Sequence, residues 1–469
     1  MAERTERLEG PLVHKFGGSC LSSPELTLRC ADIVKDTRRQ QPRQVIVISA
    51  LKGQTNLIRE MLAKLVKGED GLENFMTEVR ARHELMADST IVDRKLRAQV
   101  VERMDALATR LERLLWGIVY TEELTPRAAD QALTHGERLA AHLFAGVMMG
   151  KGIDAIALEA DQAGVVTDGV FGSATANLDA TTVSLGATVR PILERGGVPV
   201  LTGFFGADIH GHTTTFGRNG SDYSAAVAAR ALRSPRLILW KDVPGFMSAD
   251  PKVVTGARLL PLVTYEEAAE LAYFGLEVLH PMTVEPLLSL DIPIEIRDIA
   301  RPDEMGSVIS ATNGGECSRI KSVTRTSGIS ILKIHAAAIG MRPSFLAACT
   351  KALAEHGIQA LGLSTSQACL GVVLRTKDAD KAQSAMRGAS IPELERIDRT
   401  DGLALVGAVG SGALEDHTLT TRMMATLAGL GGPISSVAAG PSTAAVYFVV
   451  DDAISKQAVQ LVHATFCEG

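Results

Sequence analysis

Short, nearly unbroken apolar runs alternate with longer segments of helical period up to about residue 300. Residues 45–49, Val-Ile-Val-Ile-Ser, form a β-branched run, the pattern of a strand covered on both faces. Runs at 153–158, 198–202, 237–240 and 292–296 read the same way. Apolar positions recurring at helical spacing predict helices over 55–66, 136–149, 180–194 and 264–274. Strand–helix alternation of this kind predicts an α/β fold, an open and mostly parallel sheet sandwiched by helices. Residues 67–132 are charged and helical with few turn signals, and read as a helical insertion beside the cleft.

The pattern changes after a polar stretch at 311–315. A βαββα order then occurs twice. The first copy has strands at Ile329, Ile358 and Leu370 with helices at 342–356 and from Asp378. The second has strands at Leu403, Ile434 and Ala444 with helices at 419–427 and after Ala453. The expected organisation is a domain at 11–310, a linker at 311–325 and two small modules at 326–398 and 399–469.

Composition narrows the function. A chain of 469 residues is too long for one ordinary core, and a net charge of −6 argues against a nucleic-acid partner. The six cysteines (Cys20, Cys30, Cys317, Cys349, Cys369, Cys467) are scattered without a CxxC, as in reduced cytosolic proteins. The N-terminus MAERTERLEG lacks an apolar core, and no apolar run approaches the ~20 residues a membrane helix needs. A cytoplasmic location without membrane contact is expected. Histidines such as His135, His210, His212 and His280 are isolated, with His210 and His212 in an expected hairpin loop, so no metal cage is expected.

Two glycine-bearing loops carry the candidate chemistry. Residues 215–226, TFGRNGSDYSAA, place Arg218, Asp222, Gly217 and Gly220 at the start of an alanine-rich helix. A helix N-terminus attracts anions, and Arg218 can fork two hydrogen bonds onto a carboxylate or phosphate. Asp222 is useful if something positive must be held. Near the N-terminus, Lys15-Phe16-Gly17-Gly18-Ser19-Cys20 runs from a strand into a loop, followed by Ser23-Pro24-Glu25, a helix start. Backbone amides freed of side-chain bulk can approach phosphate there, with Lys15 adding charge. Taken alone, a capped helix after a tight turn explains the first loop equally well, and a Gly-Gly pair as in the second more often simply turns the chain.

Together the loops resemble the aspartate kinases of the amino-acid kinase family. Lys15 to Ser19 is similar to that family's KFGG(T/S) motif, and Gly217 to Ala225 to its GR(G/N)GSDxSA motif. Gly136-Glu137-Arg138-Leu139, the stretch from Trp240 to Lys252, and Tyr273-Phe274-Gly275 through Leu279-His280-Pro281 continue the series. The resemblance implies phosphoryl transfer from ATP, with Mg²⁺ carried on ATP, to the β-carboxylate of L-aspartate, the first step of aspartate-family amino-acid biosynthesis leading to lysine and threonine. It makes Lys15 and Asp222 catalytic. Ser49, Thr55, Glu137, Arg218 and Ser221 would hold aspartate, and Thr55 also reads as a helix N-cap. Gly17, Gly18, Ser19, Lys241, Asp242, Met247 and Lys252 would hold the nucleotide.

The chain departs from the family pattern at Lys241, Met247 and Lys252, where Thr, Tyr and Arg are usual. Cys20, beside a cationic loop, reads either as a reactive thiol or as packing. The C-terminal repeats are similar to tandem ACT domains, which implies a homodimer or higher homo-oligomer and an amino-acid effector near Ser364, Thr365, Ser366 and Gln367. Leu361 and Gln367 stand where lysine-inhibited relatives carry Asp and Glu, so weak or absent lysine inhibition is expected. The competing expectations are a non-catalytic ACT-type amino-acid sensor and a kinase acting on another carboxylate.

Overall fold

The computed structural model describes residues 9–217, 220–273, 278–312, 320–336, 343–389, 391, 394–411, 416, 418–440 and 442–467. Arg218 and the linker core at 313–319 lie outside them, as do Phe274 and Arg342 at the ends of expected helices. The chain divides into two compact units. The first comprises Met1–Phe246, Pro261–Tyr265 and Val278–Thr312, the second Met247–Leu260, Glu266–Glu277 and Asn313–Gly469.

The strands of the first unit are β1 (Leu12–Phe16), β2 (Gln44–Ile48), β3 (Ala155–Leu158), β4 (Val198–Thr202), β5 (Phe205–Ala207), β6 (Thr213–Thr215), β7 (Leu237–Lys241), β8 (Leu262–Thr264), β9 (Ile294–Asp298) and β10 (Ser307–Ser310). Eight form one sheet in the order β3-β4-β2-β1-β7-β9-β10-β8, parallel throughout except between β9 and β10. The chain leaves β1 for β2 on one side, whereas β7 pairs on the other. The loops leaving these central strands therefore diverge, and a crevice opens at their carboxyl ends, where ligands bind in open α/β sheets. β1, β2 and β4 are buried at every position, which is why β2 and β4 read as nearly continuous apolar runs. β5 and β6 form a separate hairpin around His210-Gly211-His212.

The strands expected at 45–49, 153–158, 198–202, 237–240 and 292–296, and the helices expected at 55–66, 136–149 and 180–194, occur within two residues of those ends. Ser23 caps the Pro24–Thr37 helix, its Oγ accepting from the Leu26 amide at 3.3 Å. The insertion forms helices Leu72–Thr90, Arg94–Thr121 and Pro126–Leu133. They cover the His135–Gly150 helix, which is consequently buried on most of its circumference rather than amphipathic. Thr55 is not a cap: the Gln54–Val66 helix starts from Gly53, whose φ of 85° suits glycine, and Thr55 lies in its first turn.

The second unit is built on one antiparallel sheet of β11 (Ser322–His335), β12 (Gly362–Thr365), β13 (Cys369–Arg375), β14 (Arg396–Val409), β15 (Ile434–Ala438) and β16 (Ala445–Asp451), in the order β12-β13-β11-β14-β16-β15. Its halves are successive copies of strand, helix, strand, strand, helix, matching the expected repeat. They share the sheet because β11 and β14 pair from Ser322↔Val409 to His335↔Arg396. Each half keeps its own apolar core, one around Leu332, Phe345 and Met386, the other around Met423, Phe448 and Val459.

Ile358 does not begin a strand. Gly357 takes φ 62° and donates to the Ala354 carbonyl, while the Ile358 amide donates to the Leu353 carbonyl, each at 2.9 Å. This is the helix-ending turn whose outermost residue tucks an apolar side chain back against the helix. Ile358 is 7% exposed, and the strand starts only at Gly362. No atom lies within 4 Å of where a Cβ at Gly357 would stand, so backbone conformation alone sets the cost of substitution there. Gly357→Ala is expected to lower stability by about 1 kcal/mol and Gly357→Asn by less, read as denaturant midpoints. Equal midpoints for Ala and Gly would contradict the left-handed turn.

Candidate active site

Three neighbouring elements bring three charges together. β1 carries Lys15 one residue before its end, β7 ends on Lys241, and the Gly220–Ala231 helix holds Asp222 in its first turn. Lys15 Nζ lies 2.6 Å from Asp222 Oδ1, and Lys241 Nζ donates to Oδ2 at 2.7 Å. Lys15 and Asp222 are 5% and 2% exposed. Burial alone would push the Asp222 carboxyl up, but the two ammonium groups outweigh it and hold it well below the usual carboxylate range. Burial lowers the Lys15 pKa, with Asp222 opposing and Lys241 adding to the shift. One carboxylate between two cations leaves positive charge in a largely dry place, which suits an anion.

The surrounding loops close on this bridge. Gly17 and Gly18 follow β1, and a Cβ at Gly17 would stand 3.3 Å from Lys15 Nζ. Ser49 continues from β2, its amide bonded to the Phe16 carbonyl at 3.1 Å. Gly203, after β4, bonds to the Ile48 carbonyl at 2.9 Å and lies against Ser221. The Ser224 hydroxyl accepts from the Phe204 amide at 2.7 Å and donates to the Gly220 carbonyl at 3.0 Å. These bonds fix the helix start to a residue held at φ 79°, a conformation costly for phenylalanine.

Glu137 enters from the His135–Gly150 helix. Gly136 makes this approach feasible, since a Cβ there would stand 2.8 Å from Ala50 Cβ and 3.7 Å from Thr55 Oγ1. Glu137 is 3% exposed, and its Oε2 has no hydrogen-bond partner among the described residues. Burial pushes its pKa up to about 8, against the opposing pull of the Ala50 amide and the Lys15 charge. Arg138 anchors the helix. It pairs with Glu159, pairs with Asp161 at 2.5 Å, and sits 4.6 Å over the Phe205 ring. Arg82 braces the loop after β2 by donating to the Lys52 carbonyl and, at 3.4 Å, to Gln54 Oε1.

The structure thus gathers Lys15, Gly17, Gly18, Ser49, Thr55, Glu137, Ser221, Asp222 and Lys241 at one end of the sheet. Ser19 is the second residue of the short turn Gly18–Leu21 beside them, and Asp242 follows Lys241 as an exposed residue. Arg218 lies outside the described residues. Met247 and Lys252 belong to the second unit, as do Ser364 and Thr365 on β12 and Ser366 and Gln367 in the turn after it. Cys20 is fully buried, its thiol donating to the Trp240 carbonyl at 3.2 Å. A hydrogen bond from Cys30 lowers its pKa, yet solvent cannot reach it, so it is a packing residue.

Three interactions escaped the sequence reading, which gives Lys241 to the nucleotide only. Lys241 contacts Asp222, a consequence of β1 and β7 being sheet neighbours. His280 stands within electrostatic reach of both; burial lowers its pKa and Lys241 adds to the effect while Asp222 opposes it. Asp130 accepts from the Gly172 amide at 2.8 Å, the Thr215 amide at 2.9 Å and the Thr215 hydroxyl at 2.8 Å, fixing the strand that leads into residues 216 and 217.

Glu137 gives the site a measurable signature. The folded protein retains its carboxyl proton up to about pH 8, whereas an unperturbed glutamate releases it near 4.5. The folded state therefore binds the extra proton in that window, and stability falls as pH rises through it. Glu137→Gln is expected to match the parent near the lower limit and exceed it at the upper one, by on the order of a few kcal/mol. Denaturant midpoints followed against pH test this; parallel profiles for the two proteins would contradict it.

The profile of the amino acid kinase family matches residues 10–298. The lysine-sensitive aspartokinase 3 of Escherichia coli (strain K12) is 28% identical, over 97% of this chain and 99% of its own. Aspartokinase 2, chloroplastic, of Arabidopsis thaliana is also 28% identical, over 97% of this chain and 84% of its own. The crystal structure of E. coli aspartokinase III in complex with aspartate and ADP is similar with a TM-score of 0.82 at 27% identity, covering 97% of this chain and 99% of that one. Clostridium acetobutylicum aspartate kinase, at 19% identity and a TM-score of 0.71 over 97% of this chain and all of that one, shares the fold. A profile match over more than half of its length, on the unit that holds the buried Lys15–Asp222–Lys241 bridge, makes this chain a member of the amino acid kinase family.

Proposed function

We propose that this protein transfers the γ-phosphoryl group of ATP to the β-carboxylate of L-aspartate, giving 4-phospho-L-aspartate and ADP. The observation that carries the reading is Asp222 held between Lys15 and Lys241 at the carboxyl ends of the central strands. Nearly full-length similarity to aspartokinases supports it, and so does the aspartate and ADP bound by the E. coli relative. Nothing favours the sensor or another carboxylate as substrate.

A carboxylate is already nucleophilic, so the chemistry needs alignment and charge neutralisation rather than a strong base. One β-carboxylate oxygen attacks the γ-phosphorus, the bond from that phosphorus to the bridging oxygen breaks, and ADP departs with the electron pair. Lys15 and the amides of Gly17 and Gly18 would neutralise the transferring group. Lys241, free to exchange Asp222 for a phosphate oxygen, would add a second cation where relatives carry threonine. Asp222 would keep both ammonium groups aimed inward. Arg218 would fork onto the α-carboxylate, Thr55 would hold the side-chain carboxylate, and Glu137 would face the substrate ammonium.

Among the described residues no cluster of His, Cys, Asp or Glu has the makings of a metal cage, so Mg²⁺ would arrive on the phosphates of ATP. We take residues 11–310 as the catalytic domain, 326–398 and 399–469 as effector-responsive modules, a homodimer or higher homo-oligomer as the assembly, and the cytoplasm as the site of aspartate-derived amino-acid synthesis. No described helix is long and apolar enough to cross a membrane.

Lys15→Met is expected to lower kcat by about 10²–10³-fold in an ADP-release assay, the range for losing one preorganised donor. A loss below about threefold would sink the proposed role. An ammonium is held only by an ionised Glu137, so KM for aspartate should fall as pH rises toward 8 and become flat in Glu137→Gln. Leu361, buried with its amide bonded to the Val373 carbonyl at 2.7 Å, offers an effector ammonium no charge. Activity is therefore expected to persist at millimolar lysine, and cooperative inhibition at sub-millimolar lysine is the contrary result.

A further inference from the structure

The helical insertion reaches the substrate loop through Arg82. Residues 49–55 run from the end of β2 into the Gln54–Val66 helix, carry Ser49 and Thr55, and turn at Gly53. They lie against both sides of the cleft. A Cβ at Gly18 would stand 3.0 Å from the Ala50 carbonyl oxygen, and one at Gly136 would stand 3.5 Å from Gln54 Cγ and 3.7 Å from Thr55 Oγ1. Any shift of this loop moves Thr55 relative to Glu137 and to the glycines after β1. Arg82, on the Leu72–Thr90 helix, donates through one terminal nitrogen to the Lys52 carbonyl and through the other to Gln54 Oε1 at 3.4 Å. Lys52 and Gly53 are exposed, whereas Gln54 is 1% exposed. The fork therefore grips the loop at its solvent-facing turn and at its buried end. Arg80, two residues earlier, serves the insertion alone. It pairs with Asp105 at 2.9 Å and with Glu112 at 2.7 Å, both on the Arg94–Thr121 helix.

A loop that orders only when substrate arrives loses backbone entropy at that moment, and the loss weakens binding. A loop already held loses little. We propose that Arg82 is a positioning residue for the carboxylate substrate: it holds residues 52–54 so that Thr55 meets the side-chain carboxylate of aspartate beside Glu137. The identity of that substrate rests on the aspartate kinase reading. Arginine suits the task because its planar guanidinium presents two donors in fixed relation, one for a backbone carbonyl and one for an amide oxygen. An ammonium keeps the charge and loses that geometry.

Steady-state kinetics of the full chain with Arg82→Ala, Arg82→Lys and Arg80→Ala, joined to hydrogen exchange on the substrate-free proteins, test the assignment. Arg82→Ala should raise KM for aspartate about tenfold and KM for ATP by less than about threefold. Saturating aspartate orders the loop by itself, so kcat should stay within about threefold of the parent. Amides at 51–55 should exchange about tenfold faster in Arg82→Ala than in the parent. Arg82→Lys should raise KM for aspartate by about threefold, which keeps the idea open to refutation if the alanine variant misfolds. Arg80→Ala, which weakens the insertion without touching the loop, should leave KM for aspartate and exchange at 51–55 within about twofold of the parent. An unchanged KM for aspartate in both Arg82 variants, an equal rise in Arg80→Ala, or unaltered exchange at 51–55 would each overturn the assignment. A parent protein that releases no ADP with aspartate would defeat the proposed function instead, and the exchange contrast would still decide whether Arg82 anchors the loop.

Discussion

The arrangement depends on a carboxylate kept between two ammonium groups with almost no water. Each ion loses hydration, and only close mutual attraction offsets that loss. Asp222 therefore has to meet Lys15 and Lys241 at hydrogen-bond distance, or the centre of the molecule is left with uncompensated charge. The sheet meets this demand through adjacency. β1 and β7 are hydrogen-bonded neighbours, with Lys15 opposite Leu239, and the helix bearing Asp222 is tied by its first turn to the loop after β4. Because the bridge has one negative and two positive groups, it is incomplete without an anion.

A second carboxyl in the same cleft is pushed the other way. Asp222 is held ionised by its neighbours, while Glu137, buried with one oxygen unpartnered among the described residues, keeps its proton to about pH 8. Environments that separate the titration of two like groups are a recurrent mark of working sites. Support for both comes from buried polar side chains further out. Arg138 is shared by two carboxylates on the segment after β3, and Asp130 accepts two hydrogen bonds from Thr215, on the chain that leads to the Asp222 helix, and a third from the Gly172 amide.

Much of this was legible in the amino-acid order, and the exceptions have separate physical causes. Central strands were readable because coverage on both faces makes their apolar runs continuous, as at residues 45–48. β5, β6, β8 and β10 have three or four residues each, too few to show a period. The helix carrying Glu137 looked amphipathic because its second cover comes from the insertion helices Leu72–Thr90 and Arg94–Thr121, which its own sequence does not contain. The pairing of Lys241 with Asp222 likewise follows from strand order, which no local motif encodes. Thr55 and Ile358 were misread for a different reason: a left-handed glycine two residues before Thr55, and another immediately before Ile358, set the true boundaries.

The shared sheet of the second unit also has an outer consequence. Fusion through β11 and β14 spends the two longest strands in the middle and leaves β12 and β15 as its margins, each laddered on one flank only among the described residues. Both are brief, largely solvent-facing and rich in hydroxyls: Ser364 and Thr365 on one, Ser435 and Ser436 on the other. Short polar margins resist indiscriminate strand addition, the usual hazard of an open sheet, while keeping backbone donors and acceptors ready for a partner of matching shape.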